Sequence, residues 1–78
     1  MTTGISQCWR HPGKRRYYRV QVFPDLFGSL CLVRSWGSLD NARGNCKTEP
    51  ITDWQEAQRR FKRISQERLR NGYRPIYL

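Results

Sequence analysis

Carboxylates and histidine are the scarce residues in this chain of 78. Six Asp and Glu stand against fifteen Lys and Arg, and His11 is the lone histidine. This scarcity puts most catalytic arrangements out of reach. General acid–base chemistry relies most often on histidine. His11 sits beside Pro12, and no Ser/His/Asp or Cys/His pairing has positional support. The carboxylates are dispersed, with neither calcium-loop nor glycosidase spacing, and no glycine-rich phosphate loop occurs. The expectation is a protein that is not an enzyme, with no catalytic residue, no cofactor and no metal site.

Cysteine is sparse too. Cys8, Cys31 and Cys46 are far apart and odd in number, and no CxxC pair occurs. That argues against a disulfide framework or a zinc site. Reduced thiols in a cytoplasmic protein are expected, with Cys31 in the core. No apolar run approaches the roughly 18 to 20 residues that span a bilayer, and residues 1–7 carry no apolar h-region. Neither a membrane partner nor a signal peptide is therefore expected.

Basic charge and aromatic rings are what the chain does have. Its length suits one domain, and a domain this small buries only about 60% of its unfolded surface. Three Trp, four Tyr and three Phe can build a sufficient core because each buries a large area. The net charge is +9, and it is unevenly placed: residues 1–20 carry five basic and no acidic groups, residues 21–53 are close to neutral, and residues 54–78 carry seven basic and two acidic groups. Such a field attracts polyanions over about 8 Å at physiological salt, and nucleic acid is the usual polyanion for a basic domain.

Residues 1–14 hold Gly4, Pro12 and Gly13 without periodicity, and read as a flexible basic N-terminal arm; Trp9 receives no role. Residues 15–23 alternate, with Tyr18, Val20 and Val22 on one face, and predict a strand. Pro24-Asp25 and Gly28-Ser29 frame a turn, with Leu26 and Phe27 expected to fold back onto the core. A second strand is predicted over Leu30–Ser38, forming an antiparallel hairpin with Arg34 and Trp36 on one face. Gly37 suggests a bulge or a close backbone approach. Residues 40–45 are a turn. Residues 46–49 read as a short peripheral strand stopped by Pro50.

The helix has the clearest signals. Thr52 is the expected N-cap, with Gln55 completing a capping box. Trp54, Ala57, Phe61, Ile64 and Leu69 form the apolar stripe, with Trp54, Phe61 and Ile64 in the core. Arg59, Arg60, Lys62 and Arg63 form the opposite face, and Asn71-Gly72 supplies a left-handed C-cap. The tail from Tyr73 suits an edge strand. The fold class expected is α+β, a small antiparallel β-sheet packed against one C-terminal α-helix.

Three blocks then stand out in order: Tyr17-Tyr18-Arg19-Val20-Gln21-Val22, Pro24-Asp25-Leu26-Phe27-Gly28 and Leu32-Val33-Arg34-Ser35-Trp36-Gly37. Together with the helix ending Arg68-Leu69-Arg70-Asn71-Gly72-Tyr73, they resemble the WGR domain family, which makes residues 15–78 a WGR-like domain. In the DNA-dependent poly(ADP-ribose) polymerases the similar domain binds DNA near a strand end, where the signature Trp packs against the terminus. The resemblance implies that role for Trp36, with Arg34, Lys47 and Arg68 as basic neighbours. The third residue of the name-giving Trp-Gly-Arg is Ser38 here, so that arginine's contact cannot be carried over; Arg43 or Arg34 are candidate substitutes.

Charge adds Arg19, Arg43, Arg59, Lys62 and Arg63 to the candidate contacts. The plainer reading of such a helix face is a solvated surface, and of such a tryptophan a core aromatic. The expected function is a non-catalytic nucleic-acid-binding module, with DNA favoured over RNA, acting through a basic surface and an exposed tryptophan. The alternative is a protein-interaction module that docks an acidic partner.

Overall fold

Two-residue alternation along the second strand sets the architecture. In the computed structural model, which describes residues 4–41 and 44–76, Tyr18, Val20 and Val22 are buried on one side of strand β2 (Arg16–Pro24). Tyr17, Arg19 and Gln21 face the other way. Strand β1 (Ile5–His11) lies on one side of β2, and β3 (Leu30–Ser38) on the other. Strand β4 (Gly44–Ile51) follows β3. Helix α1 (Trp54–Arg70) then returns the chain to the far edge, where β5 (Arg74–Ile76) pairs with β1. The sheet is antiparallel throughout, in the order β4-β3-β2-β1-β5. The expected α+β class, with one sheet and one C-terminal helix, is the observed one.

The register sorts the helix-side face into rows. Nearest the β2–β3 turn lies Pro24–Leu30–Ile51, and next comes Ile5–Val22–Leu32–Glu49. Then follow Gln7–Val20–Arg34–Lys47, Pro75–Trp9–Tyr18–Trp36–Asn45 and finally His11–Arg16–Ser38. Val20, Val22, Leu32, Ile51, Ala57 and Ile64 close the core beneath the helix, with Trp9 and Tyr18 continuing it. Burying such side chains contributes about 1.5–3 kcal/mol each.

Several expectations are corrected. Residues 5–11 are no arm: they form a strand flanked on both sides, and Trp9 is 1% exposed. Strand β4 is longer than the segment predicted and includes Pro50. It tolerates proline because it is an edge strand, where a missing N–H can face away from the ladder. No bulge occurs at Gly37; pairing is continuous from Arg16↔Ser38 to Pro24↔Leu30. The close approach is real, however. An added Cβ at Gly44, which pairs with Gly37, would lie 3.0 Å from Tyr17 Oη, so Tyr17 reaches across both glycines on the open face.

Cys31 lies on that open face rather than in the core, its thiol donating to the Phe23 carbonyl at 3.6 Å. Leu26 and Phe27 do not fold back: they are 98% and 91% exposed. Trp54 is 37% exposed, and Leu69 is also exposed.

The helix begins one residue later than expected. Asp53 is the N-cap, accepting from the Glu56 N–H at 2.8 Å, and the Glu56 carboxylate reaches back to the Thr52 N–H and hydroxyl. Asp53 thus caps the Glu56 N–H, and Glu56 in turn ties down Thr52, the residue before the cap, in a variant of the capping box. At the other end, Gly72 adopts φ +91°; its N–H donates to the Leu69 carbonyl and the Tyr73 N–H to that of Arg68. This is a Schellman motif, and it fixes Tyr73 against the last helical turn.

Candidate nucleic-acid interface

At the end of the sheet where the helix C-terminus meets the Tyr18–Trp36 and His11–Arg16–Ser38 rows, the structure forms a cleft of about 690 Å³. Trp36 and Tyr18, cross-strand partners on β3 and β2, stack with their rings 15° from parallel and 6.1 Å apart. Trp9 supports Tyr18 edge-on from β1 at 6.2 Å. Tyr73 closes one wall, edge-on to Tyr18 and to His11. Aromatic pairs in such geometries contribute about 0.5–1.5 kcal/mol beyond their area, so the rings hold one another in place. Trp36 is half-buried, lining the cleft; it is less exposed than expected.

Four cations line the same cleft, Arg16, Arg34, Lys47 and Arg68, and no carboxylate joins them among the described residues. Arg68 occupies a position of the helix stripe that alternation of apolar residues would give to the core, four residues beyond the buried Ile64. Its guanidinium carbon lies 4.3 Å from the Tyr18 ring centroid and 5.0 Å from that of Tyr73. Cation–π contacts of this kind contribute about 0.5–2 kcal/mol, and they pin the guanidinium over the rings. The buried Nε atoms of Arg34 and Arg68 have no hydrogen-bond partner among the described residues. Such orphans are rare in native structures.

Glu49 explains why Arg34 points where it does. Its carboxylate bonds Arg60 and lies 3.4 Å from Arg34 and 3.8 Å from Lys47. Burial alone would raise the Glu49 pKa. The Arg60 hydrogen bond and the charges of Arg34, Arg60 and Lys47 outweigh that and hold it below the ordinary value. One acid thus pairs with two cleft cations. Arg60 is consumed by Glu49 and Glu56 and is not a free member of the helix face.

The expected contacts divide. Arg34, Trp36, Lys47 and Arg68 come together in the cleft. Arg59, Lys62 and Arg63 lie exposed on the helix, away from it. Arg19 lies on the open face of the sheet, between Cys8 and Ser35. Arg43 falls outside the described residues. Sequence reasoning missed Arg16, Tyr18, Asn45 and Tyr73 as cleft residues. Only for Arg16 was a signal available, since alternation places it two residues before Tyr18 on the same face.

A floor of stacked rings beside four cations, two of them paired with Glu49, is a surface for a flat, anionic ligand. The WGR domain family model matches residues 1–77. The chain belongs to the WGR family. The uncharacterized protein y4dW of Sinorhizobium fredii is 33% identical over 60 residues, covering 77% of this chain and 29% of that protein. A poly(ADP-ribose) polymerase of Drosophila melanogaster is 32% identical over 71 residues, covering 90% of this chain and 7% of the polymerase. The WGR chain thus spans less than a third of either relative. No solved structure gives a significant match. Among the described residues, no helix is long and apolar enough to cross a membrane, and no group of three metal-ligating side chains occurs.

Proposed function

We infer that the cleft seats a nucleic-acid strand, with DNA favoured over RNA by the family resemblance. Trp36 supplies the stacking surface, and Arg16, Arg34, Lys47 and Arg68 meet phosphate. The role is binding without catalysis, and it needs no cofactor. One observation carries the reading: the stacked Tyr18–Trp36 pair and four cations share a cleft whose lining holds no carboxylate among the described residues. Phosphate oxygens are the acceptors that guanidinium and ammonium groups suit, and charge-assisted bonds to them are strong.

Arg16 also answers the missing signature arginine. Ser38 stands where that arginine would be, and Arg16 is its direct cross-strand partner, lining the same cleft. A cation is therefore supplied from β2 instead of β3. Of the two substitutes expected from sequence, Arg34 sits two rows away and Arg43 lies outside the described residues.

The test is fluorescence anisotropy with a blunt-ended duplex, the same duplex closed by hairpins at both ends, and a single strand. Log affinity should fall linearly with log salt. Trp36→Ala should weaken end binding by about 1–3 kcal/mol, roughly five- to 150-fold, with little effect on the closed duplex. Absence of binding to any of the three at low salt would falsify the reading. An acidic protein partner would use the cations but not the ring, so loss of binding on Arg68→Gln with no loss on Trp36→Ala would favour that alternative.

A further inference from the structure

The face of the sheet turned away from helix α1 is bare, and none of the described residues on it is buried. Its row at the cleft end runs Arg74–Arg10–Tyr17–Gly37–Gly44, and Arg19 stands in the next row, between Cys8 and Ser35. Arg10, Arg19 and Arg74 are exposed, and no carboxylate shares their face. Asp25 and Asp40 lie in the loops, Glu49 on the helix side of β4, and Asp53, Glu56 and Glu67 at the helix. None of the three arginines forms an ion pair among the described residues. Arg10 and Arg74 are direct cross-strand partners. Like charges so placed destabilise a sheet, and an anion held between them reverses the sign. Arg19 is diagonal to Arg10, about 7–8 Å away. Tyr17 supplies a ring beside them. It starts on β2, and its hydroxyl reaches Gly44 on β4, where an added Cβ would lie 3.0 Å from it. The ring therefore lies along the sheet over the glycines, with one side turned outward. Tyr17, Gly37 and Gly44 also line the cleft, so the two surfaces are continuous.

We propose that this open face carries an unpaired nucleic-acid strand running on from the cleft, with phosphates on Arg10, Arg74 and Arg19 and a base against Tyr17. The proposal rests on the cleft reading for where the strand begins, and on these residues for where it goes. Charge selects a polyanion, and breadth selects a single strand. Five strands spaced about 4.8 Å apart make a face roughly 19 Å across, too broad for a major groove about 12 Å wide. A ring beside cations suits an unpaired base, which stacks whatever its identity. An acidic polypeptide would use the arginines and leave the ring idle.

The experiment compares three probes by fluorescence anisotropy: a blunt duplex, the same duplex with a single-stranded overhang of about six nucleotides, and a free oligothymidine of about twelve. The overhang should raise affinity about tenfold over the blunt duplex. The triple variant Arg10→Gln, Arg19→Gln, Arg74→Gln should abolish that gain. It should also lower the salt slope of the overhang probe by about two, at about 0.7 for each single-strand phosphate. A control that removes as much charge, Arg59→Gln, Lys62→Gln, Arg63→Gln, should weaken all three probes alike. In ¹H–¹⁵N spectra the overhang should shift the amides of Arg10, Tyr17, Arg19 and Ser35 further than the blunt duplex does. The three arginines are exposed, and removing the opposed pair should leave the Tm no lower. Failure of the cleft reading looks different from failure here. Without the cleft, oligothymidine still binds, ignores Trp36→Ala and is lost in the open-face triple variant. Without the open face, overhang and blunt duplex bind alike, which overturns the proposal. Equal losses from the two triple variants overturn it too. So does polyglutamate of matched length that binds as tightly as oligothymidine, since the partner is then an acidic chain.

Discussion

The two ends of the sheet are unsatisfied in opposite ways. At the end shared by His11, Arg16, Ser38 and the helix C-terminus, polar donors are buried without acceptors over a floor of rings. At the β2–β3 end, apolar rings and chains stand in solvent on a turn whose backbone donors are satisfied. A small core cannot cover five strands with one 17-residue helix. The core closes over Val20, Val22 and Leu32 in the middle of the sheet, while Leu26 and Phe27 at one end stay exposed and a cleft stays open at the other. The chain has spent rings and arginines on one opening and aliphatic and aromatic bulk on the other. The lesson is that incomplete coverage, usually a weakness of small domains, here divides the surface into two chemically distinct regions.

The sharpest way to break this comparison is to truncate one aromatic at each end. Trp9→Ala removes the fully buried support of Tyr18 and should cost about 3–5 kcal/mol, enough to unfold much of the population. Phe27→Ala, of a side chain 91% exposed, should leave the stability within about 0.5 kcal/mol. Urea denaturation followed by circular dichroism measures both. Equal costs would mean that the turn packs on the core in solution and that the contrast is wrong.

Next in size is Gly72→Ala. Gly72 has φ +91°, and a Cβ there would lie 2.8 Å from His11 Nε2. Both the backbone conformation and the clash oppose the substitution, which should cost about 1–3 kcal/mol. Because Gly72 holds Tyr73 against Arg68, NMR shifts should move around Tyr18, Trp36 and Arg68 and stay fixed at residues 24–30. Perturbation spread evenly over both ends would show that the two regions are not independent.

Much of this was legible in advance, and the reasons are local. The β2–β3 hairpin and the bounds of β3 follow from alternation, and the helix follows from its periodicity and its caps. Trp36, Arg34, Lys47 and Arg68 came from the family resemblance. Strand β1 was illegible because its helix-side face reads Ile5, Gln7, Trp9, His11, only half apolar, between Gly4 and Pro12. Its partner β5 lies more than 60 residues away, and no local pattern reveals such a pairing. Tyr73 enters the cleft only through that topology. Leu26 and Phe27 were misplaced by the ordinary rule that large apolar residues are buried, a rule that fails where a turn satisfies its own backbone and holds the side chains out. Arg68, named through the resemblance, also carries a signal of its own: it is a cation at a core position of the helical stripe.

Glu49 offers a smaller and two-signed effect. Its carboxyl is held below the ordinary glutamate value in the folded state, burial being outweighed by Arg60, Arg34 and Lys47. A lowered folded pKa stabilises at pH above the unfolded value, and that contribution is lost as pH falls through it, around pH 4 and below. Glu49→Gln should cost about 1 kcal/mol at pH 7 and flatten that acid dependence. It should also release Arg34 and Lys47 toward the cleft, so that affinity for a duplex end rises a few-fold even as stability drops. A variant that lost both stability and affinity would show that Glu49 positions the cations rather than competing for them.

The smallest effect expected is on the outer helix face. Arg59, Lys62 and Arg63 are exposed and lie outside the cleft, so they act on a polyanion through the general field, which falls off within about 8 Å at physiological salt. Lys62→Gln with Arg63→Gln should weaken blunt and closed duplexes alike by a few-fold, and should leave the slope of log affinity against log salt nearly unchanged. Arg68→Gln, by contrast, removes a phosphate contact and should reduce that slope by about one. Titrations at four salt concentrations distinguish the two patterns. If the helix-face pair lowers the slope as much as Arg68 does, the strand tracks along the helix, and the cleft is one part of a longer interface.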